Sequence, residues 1–204
     1  MSALSTHLVG PRRSPEGSSV EPSAPNPEPL SAGRLNRLRA AVLGANDGIV
    51  SVAAMVVGVA GAAPARSAVV TAGIAGLVAG ALSMAAGEYV SVSSQRDAER
   101  AGIASGALDD DTELTDPWHA AGASLVAFLV GGLVPVLAVL LVPTAAARVP
   151  VVAAAVIAAL VVTGALSARA GGAPVRRAVL RNIVGGGLAM AVTYGVGSVV
   201  GLAL

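Results

Sequence analysis

Residues 39–62, RAAVLGANDGIVSVAAMVVGVAGA, form an apolar run holding one acid, Asp47, eight residues beyond the flanking Arg39. A mirrored stretch follows at 80–96, GALSMAAGEYVSVSSQR, where Glu88 precedes Arg96 by eight residues. Of the twelve acidic residues, only these two lie inside long apolar stretches. Read as antiparallel membrane helices, the segments place each carboxylate about 12 Å inside the same basic flank, at about 1.5 Å rise per residue. Matching depth is therefore the expectation. An ionisable group held there is costly, and by default it marks an ion pathway or a proton relay.

The rest of the chain agrees with a membrane reading. It has 204 residues, of which 54% are apolar and only 12% charged, and its mean hydropathy is +0.76. Soluble domains carry about a quarter charged residues. Aromatics make up 2%, and the Gly and Ala that replace them suit close helix packing in lipid. With no cysteine, disulfides, thiolate metal sites and cysteine nucleophiles are excluded. Every basic residue is Arg and the net charge is +1, so no global field points to nucleic acid as a partner. The fold class expected is an all-α polytopic membrane protein.

Residues 1–33 are rich in Pro, Ser and Gly, lack a signal-peptide core and read as a disordered cytosolic tail with a solvated His7. Residues 34–204 form the transmembrane domain, with five spans at about 40–62, 68–93, 118–142, 150–168 and 179–203. The connections are 63–67, a cytosolic loop at 94–117, a turn around Pro143–Arg148, and 169–178. Arg12, Arg13, Arg34, Arg37, Arg39, Arg96, Arg100, Arg169, Arg176, Arg177 and Arg181 fall on one side, and only Arg66 and Arg148 on the other. The positive-inside rule then puts the N-terminus in the cytosol and the C-terminus outside. Trp118, at the mouth of the third span, suits an interfacial anchor.

Gly44 and Gly48, Gly76 and Gly80, and Gly197 and Gly201 are each four apart and share a helix face. Such pairs serve close packing within one subunit or a dimer seam, and the motif does not separate the two.

The 44–48 segment, Gly-Ala-Asn-Asp-Gly, would be a turn or helix start in a soluble protein. Here that would leave a helix too short to span, so Asp47 is expected inside the membrane at a break loosened by Gly44 and Gly48. The bland alternative is a half-helix cap or an ion pair with an interfacial Arg. In the second span Met84 and Glu88 share a face. With Asp47, and with the Asn46 amide as a further pathway donor, they supply hard oxygens and a soft thioether. That set suits a weak site for a first-row divalent metal. Met84 is also read as packing, and Met55 is assigned to the core. Tyr89 is either a packing residue or a hydrogen-bond donor to a carboxylate. Two carboxylates close together in low dielectric repel, which favours a proton on one of them. An arriving metal would displace it.

Four stretches, LGANDGIVSVAAMVVGVAGA (43–62), GALSMAAGEYVSVSSQRDAE (80–99), DPWHAAGASLVAFLVGGLVPVL (116–137) and the long run from Gly164 to Gly201, resemble the vacuolar iron transporter family. The likeness covers roughly 36–203. It implies a five-helix homodimer with a metal pathway between subunits, exchanging cytosolic Fe²⁺, and often Mn²⁺, for protons. It also implies that Asp47, Met84 and Glu88 match the family's pathway acid, Met and Glu. Many members insert a Glu-rich helical domain between spans two and three. Here the 94–117 connection is too short for one, which resembles the nodulin-like short branch. Its Asp109, Asp110, Asp111 and Glu113 either attract cations before they enter or simply solvate a loop.

The function expected is thus a proton-coupled Fe²⁺/Mn²⁺ exporter and not an enzyme. Its partners are itself, the lipid bilayer and divalent metal, with metal as substrate, protons as coupling ion and no cofactor. The Arg-only, Ala/Val-rich composition suggests a GC-rich bacterium and hence the cytoplasmic membrane. The alternatives are a membrane scaffold or helix-packing subunit without transport, and a small-molecule/proton antiporter, which the scarcity of aromatics disfavours. An intramembrane hydrolase lacks a base near Ser51, Ser83 or Ser91.

Overall fold

A computed structural model describes residues 32–62 and 65–203. The tail up to Ser31, with His7, lies outside the described residues. The described chain forms five helices, α1 (Ala32–Ala62), α2 (Arg66–Ala104), α3 (Pro117–Leu141), α4 (Ala145–Ala170) and α5 (Val175–Ala203). All five are long and apolar enough to cross a bilayer, and short connections make consecutive helices run up and down. The protein is a multi-pass, all-α membrane protein.

Local chemistry sets the helix ends. Asp116 caps α3, its Oδ1 accepting from the backbone N–H of Trp118 (2.9 Å) and of His119 (3.1 Å), and Pro117 opens the first turn. α2 ends where Gly106 adopts a positive φ of 73°, letting the Ala107 N–H reach back to the Gly102 carbonyl. Leu108 then packs over Gly102.

Three sequence expectations are revised. The 44–48 segment is continuous helix inside α1, because its two glycines serve packing and not a bend. The loop expected at 94–117 is shorter, since α2 continues to Ala104. The rest folds back on it, Glu99 Oε2 accepting from Thr115 N–H (2.9 Å) and Oγ1 (3.1 Å). Likewise α4 starts at Ala145, so Arg148, expected in a turn, lies in the helix and is buried.

α1 is the hub and touches all four other helices, α3 most extensively. A Cβ on Gly48 would run into the Phe128 carbonyl, and one on Gly44 into the backbone of Ser124. Glycine there lets the backbones of α1 and α3 meet. On another face Gly197 of α5 sits against the carbonyl of Gly58, and Gly201 against that of Ala62. Gly76 receives the Met55 side chain, and Gly80 receives the Phe128 ring. All six glycines singled out by spacing therefore make close contacts within one chain. The core around α1 comprises Ile49, Val52, Val56, Leu77, Phe128, Val139, Val156 and Leu160. Large apolar side chains such as Leu82, Leu137, Leu166 and Leu188 are exposed outside it, as lipid contact requires.

Candidate metal pathway

Because glycines draw α1 onto α3, its opposite stripe is left facing α2 across a groove. Arg39, Leu43, Asp47 and Ser51, four apart, form one wall; Gly80, Ser83, Met84, Gly87, Glu88 and Ser91 of α2 form the other; Phe128 is the floor. The cavity holds about 480 Å³. It is open partly because Gly87 presents no side chain, and a Cβ there would meet nothing within 4 Å.

The vertical order follows from helix register. Met55 packs on Gly76 and Val56 on Gly73. Continuing that antiparallel register sets Asp47 opposite Met84 and places Glu88 about one turn, roughly 5 Å, nearer the basic end. The equal depth expected from Arg39 and Arg96 is thus off by one turn. The glycine contacts fix the slide of α1, and flanking arginines do not report it. Asp47, Met84 and Glu88 nevertheless line one cavity.

The two carboxylates differ in their partners. Arg39 Nη2 donates to Glu88 Oε1 at 2.6 Å, with Glu88 4% and Arg39 51% exposed by side chain. Asn36 Oδ1 steadies the same guanidinium, accepting from Nη2 at 3.0 Å and Nε at 3.3 Å. Among the described residues no basic group pairs with the Asp47 carboxylate, and the Asp47 backbone carbonyl accepts from Ser51 Oγ at 2.6 Å. Sequence spacing missed the Arg39–Glu88 pair. The available signal was the reach of an arginine snorkelling at a helix end, which spans the extra turn.

The other candidates fall elsewhere. Asn46 lines a second cavity of about 450 Å³ between α1, α4 and α5, with Ser167, Arg181 and Asn182. Its Oδ1 is buried without a hydrogen-bond partner among the described residues. Tyr89 turns away from the groove to pack on Trp118, ring centroids 4.7 Å apart. Met55, expected in the core, is 44% exposed on the α1 stripe that carries Asp47, with its side chain lying on Gly76 of α2. Asp109, Asp110, Asp111 and Glu113 are exposed, Glu113 beside the start of α1.

No group of three or more His, Cys, Asp or Glu that could hold a metal is found among the described residues. One chain offers two carboxylates and a thioether, which is a partial donor set. Asp47, Ser51, Ser83 and Ser91 would also be costly left facing hydrocarbon.

The model of the VIT family matches residues 38–108 and 102–198. The chain is 49% identical over 190 residues to Vacuolar iron transporter homolog 1 of Oryza sativa subsp. japonica, covering 87% of this chain and 82% of that one. It is 47% identical over 170 residues to Vacuolar iron transporter homolog 3 of Arabidopsis thaliana, covering 82% and 85%. A similar match, 39% identical over 204 residues and 93% of both chains, is to Vacuolar iron transporter homolog 2.1 of the same plant. These relatives are plant proteins with vacuolar names, so the comparisons lend no support to the bacterial cytoplasmic membrane expected from composition.

Proposed function

This chain belongs to the VIT family, and from that premise we propose that it exchanges a divalent first-row metal, Fe²⁺ or Mn²⁺, for protons across its membrane. The observation that carries the reading is the α1–α2 groove, which joins Asp47, Met84 and Glu88 in one cavity. Arg39 puts one end of the groove at the basic end of the bundle, which the positive-inside rule makes cytosolic, so metal would enter it from the cytosol. The names of the relatives support iron as cargo. Oxygen and thioether donors suit Fe²⁺ and Mn²⁺ alike.

The donor set of one chain is partial, and the polar stripe facing out of the groove needs cover in a bilayer. Two copies related by a two-fold axis satisfy both needs, each presenting its groove to the other, so the transporting unit is a homodimer. Two carboxylates lining one cavity in low dielectric repel, which favours a proton on one of them when no metal is bound. Metal binding expels that proton, and proton return releases the metal. The site needs no cofactor and no bond-making chemistry.

A scaffold would use both acids as partners for arginine. Among the described residues Glu88 has such a partner and Asp47 does not, which favours transport. The test is Fe²⁺ flux into proteoliposomes under an imposed pH gradient. Wild type is expected to show gradient-dependent flux that Asp47→Asn and Glu88→Gln lose while remaining folded. Absence of flux for Fe²⁺ and Mn²⁺ in well-incorporated wild type would overturn the proposal.

A further inference from the structure

All twelve acidic residues precede Pro117, so α4, α5 and the connection between them carry no carboxylate. Their basic end holds Arg169, Arg176, Arg177 and Arg181, all exposed, and among the described residues none of these makes an ion pair. The same end contributes Gly171, Ala178 and Arg181 to the cavity of about 450 Å³ between α1, α4 and α5, on the far side of α1 from the α1–α2 groove. Gly164 lets α4 approach Val179 and Asn182 of α5. Gly186 of α5 receives the Val50 side chain, and α1 and α5 run parallel, so one turn nearer the basic end Asn46 stands level with Asn182. Asn46 Oδ1 is buried there with no hydrogen-bond partner among the described residues, and a lone buried acceptor is costly. Of the two arginines lining the cavity, Arg39 is bonded to Glu88 and Asn36, which leaves Arg181 as the unpaired cation. Ser167 and Asn182 add a hydroxyl and an amide. Leu35 and Leu43 also line the cavity and are half exposed, so its edge is apolar.

We infer that this cavity is a phospholipid site, taking an anionic headgroup that carries a hydroxyl, with the phosphate on Arg181 and the hydroxyl on Asn46. The planar fork of a guanidinium bonds two phosphate oxygens at once, and Asn182 Nδ2 and the Ser167 hydroxyl are further donors. A phosphate diester has no proton to give, so the headgroup's own hydroxyl supplies the donor that Asn46 Oδ1 lacks. The unpaired arginines around the opening match an anionic lipid better than a zwitterionic one. Their end is cytosolic by the positive-inside rule, and basic pockets between spanning helices on that side hold anionic headgroups. The apolar edge makes the ligand a lipid and not a free anion. Leu166 and Leu180, each next in sequence to a polar lining residue, are 58% exposed and offer acyl chains a surface. A lipid seated there touches α1, α4 and α5 together and stabilises the fold by binding it. The site lies away from the proposed metal groove, so it stands whether or not the chain moves metal.

The purified full chain in detergent is tested by native mass spectrometry and thermal melts. The probes are dioleoyl-phosphatidylglycerol, dioleoyl-phosphatidylethanol (anionic but without a hydroxyl), dioleoyl-phosphatidylcholine and inorganic phosphate. Wild type is expected to bind phosphatidylglycerol in preference to the others and to melt higher in its presence. Arg181→Gln should weaken that binding by at least about tenfold. Arg177→Gln, which removes an equal charge from outside the cavity, should weaken it by less than about twofold. Asn46→Ala should still bind anionic lipid but lose the preference for phosphatidylglycerol over phosphatidylethanol. Should Arg181→Gln fail to fold, Arg181→Lys, which keeps the charge and loses the fork, takes its place and should weaken binding several-fold. Equal losses in the Arg181 and Arg177 variants would mean a diffuse field and no site. Equal binding of phosphatidylcholine, displacement of phosphatidylglycerol by inorganic phosphate, or a preference for phosphatidylglycerol that survives Asn46→Ala would each overturn the inference as well. All of these results leave metal transport standing.

Discussion

Two faces of α1, one residue apart in sequence, do opposite work. Gly48 faces α3, where the backbones touch and no Cβ fits. Asp47 faces α2, where a cavity of about 480 Å³ is left open. The closed face helps to leave the open one, because α1 is drawn against α3 at the level of Gly44 and Gly48 and meets α2 closely only further along, at Met55 and Val56. Stability and function are thereby separated by a turn of about 100° around one helix. A substitution should reveal which side it strikes by whether folding or flux fails.

The largest effect is expected on the closed face. Gly48→Val drives a branched side chain into the Phe128 carbonyl, and backbone has no rotamer by which to escape. Overpacking of this kind costs roughly 1–3 kcal/mol even where side chains can yield, so loss of a monodisperse protein is expected by size exclusion. Gly197→Val, aimed at the Gly58 carbonyl, should behave the same way. If both variants fold normally and lose only flux, the division between the faces is wrong.

Next in size is Asp47→Asn, the same helix on the open side. It should lower proton-driven Fe²⁺ flux by at least about tenfold with little change in thermal midpoint. The carboxylate makes no ion pair among the described residues, so its removal strands no partner. A large fall in midpoint would place Asp47 among the structural residues after all.

Gly87→Leu sharpens the contrast with Gly48. The glycines look alike in sequence, yet a Cβ at 87 meets nothing within 4 Å. The variant should fold as wild type does, while its side chain fills the groove beside Glu88. A several-fold loss of flux at an unchanged midpoint is expected from proteoliposome assays run beside thermal melts. Unchanged flux would mean that metal does not pass this level of the groove.

This asymmetry marks where reading the sequence stops. Five helices were legible because each apolar run is long enough to span and arginines cluster at alternate ends. The identity of Asp47 and Glu88 was legible because an intramembrane acid is rare. Their relative depth was not. It depends on how far α1 slides along α2, which Gly76 under Met55 and Gly73 under Val56 decide, and spacing within one helix carries no information about a neighbour. The Arg39–Glu88 bond was hidden for the same reason, since it forms only at the shifted register. Gly87, lining a void, and Gly48, abolishing one, carry the same letter. The charges after Val92 mask the helical continuation of α2 to Ala104, and Glu99 reaching Thr115 is a contact that no periodicity reports.

The smallest effect belongs outside both faces, at the cap of α3. The Asp116 carboxyl is held below the usual carboxylate range, chiefly by the His119 backbone N–H, with the His119 ring, the Trp118 N–H and Arg96 adding to it. A carboxyl lowered on folding stabilises the fold above its unfolded value of about 3.9. That contribution is lost as pH falls through the lower, folded value. Asp116→Asn keeps an acceptor for the cap but has no charge to titrate. Its thermal midpoint in detergent should therefore fall slightly at neutral pH and approach that of wild type as acid is added. Midpoints that differ equally at every pH would trace the cap to geometry alone. Flux at neutral pH should be the same in both proteins, because the cap lies beyond the groove and touches neither wall.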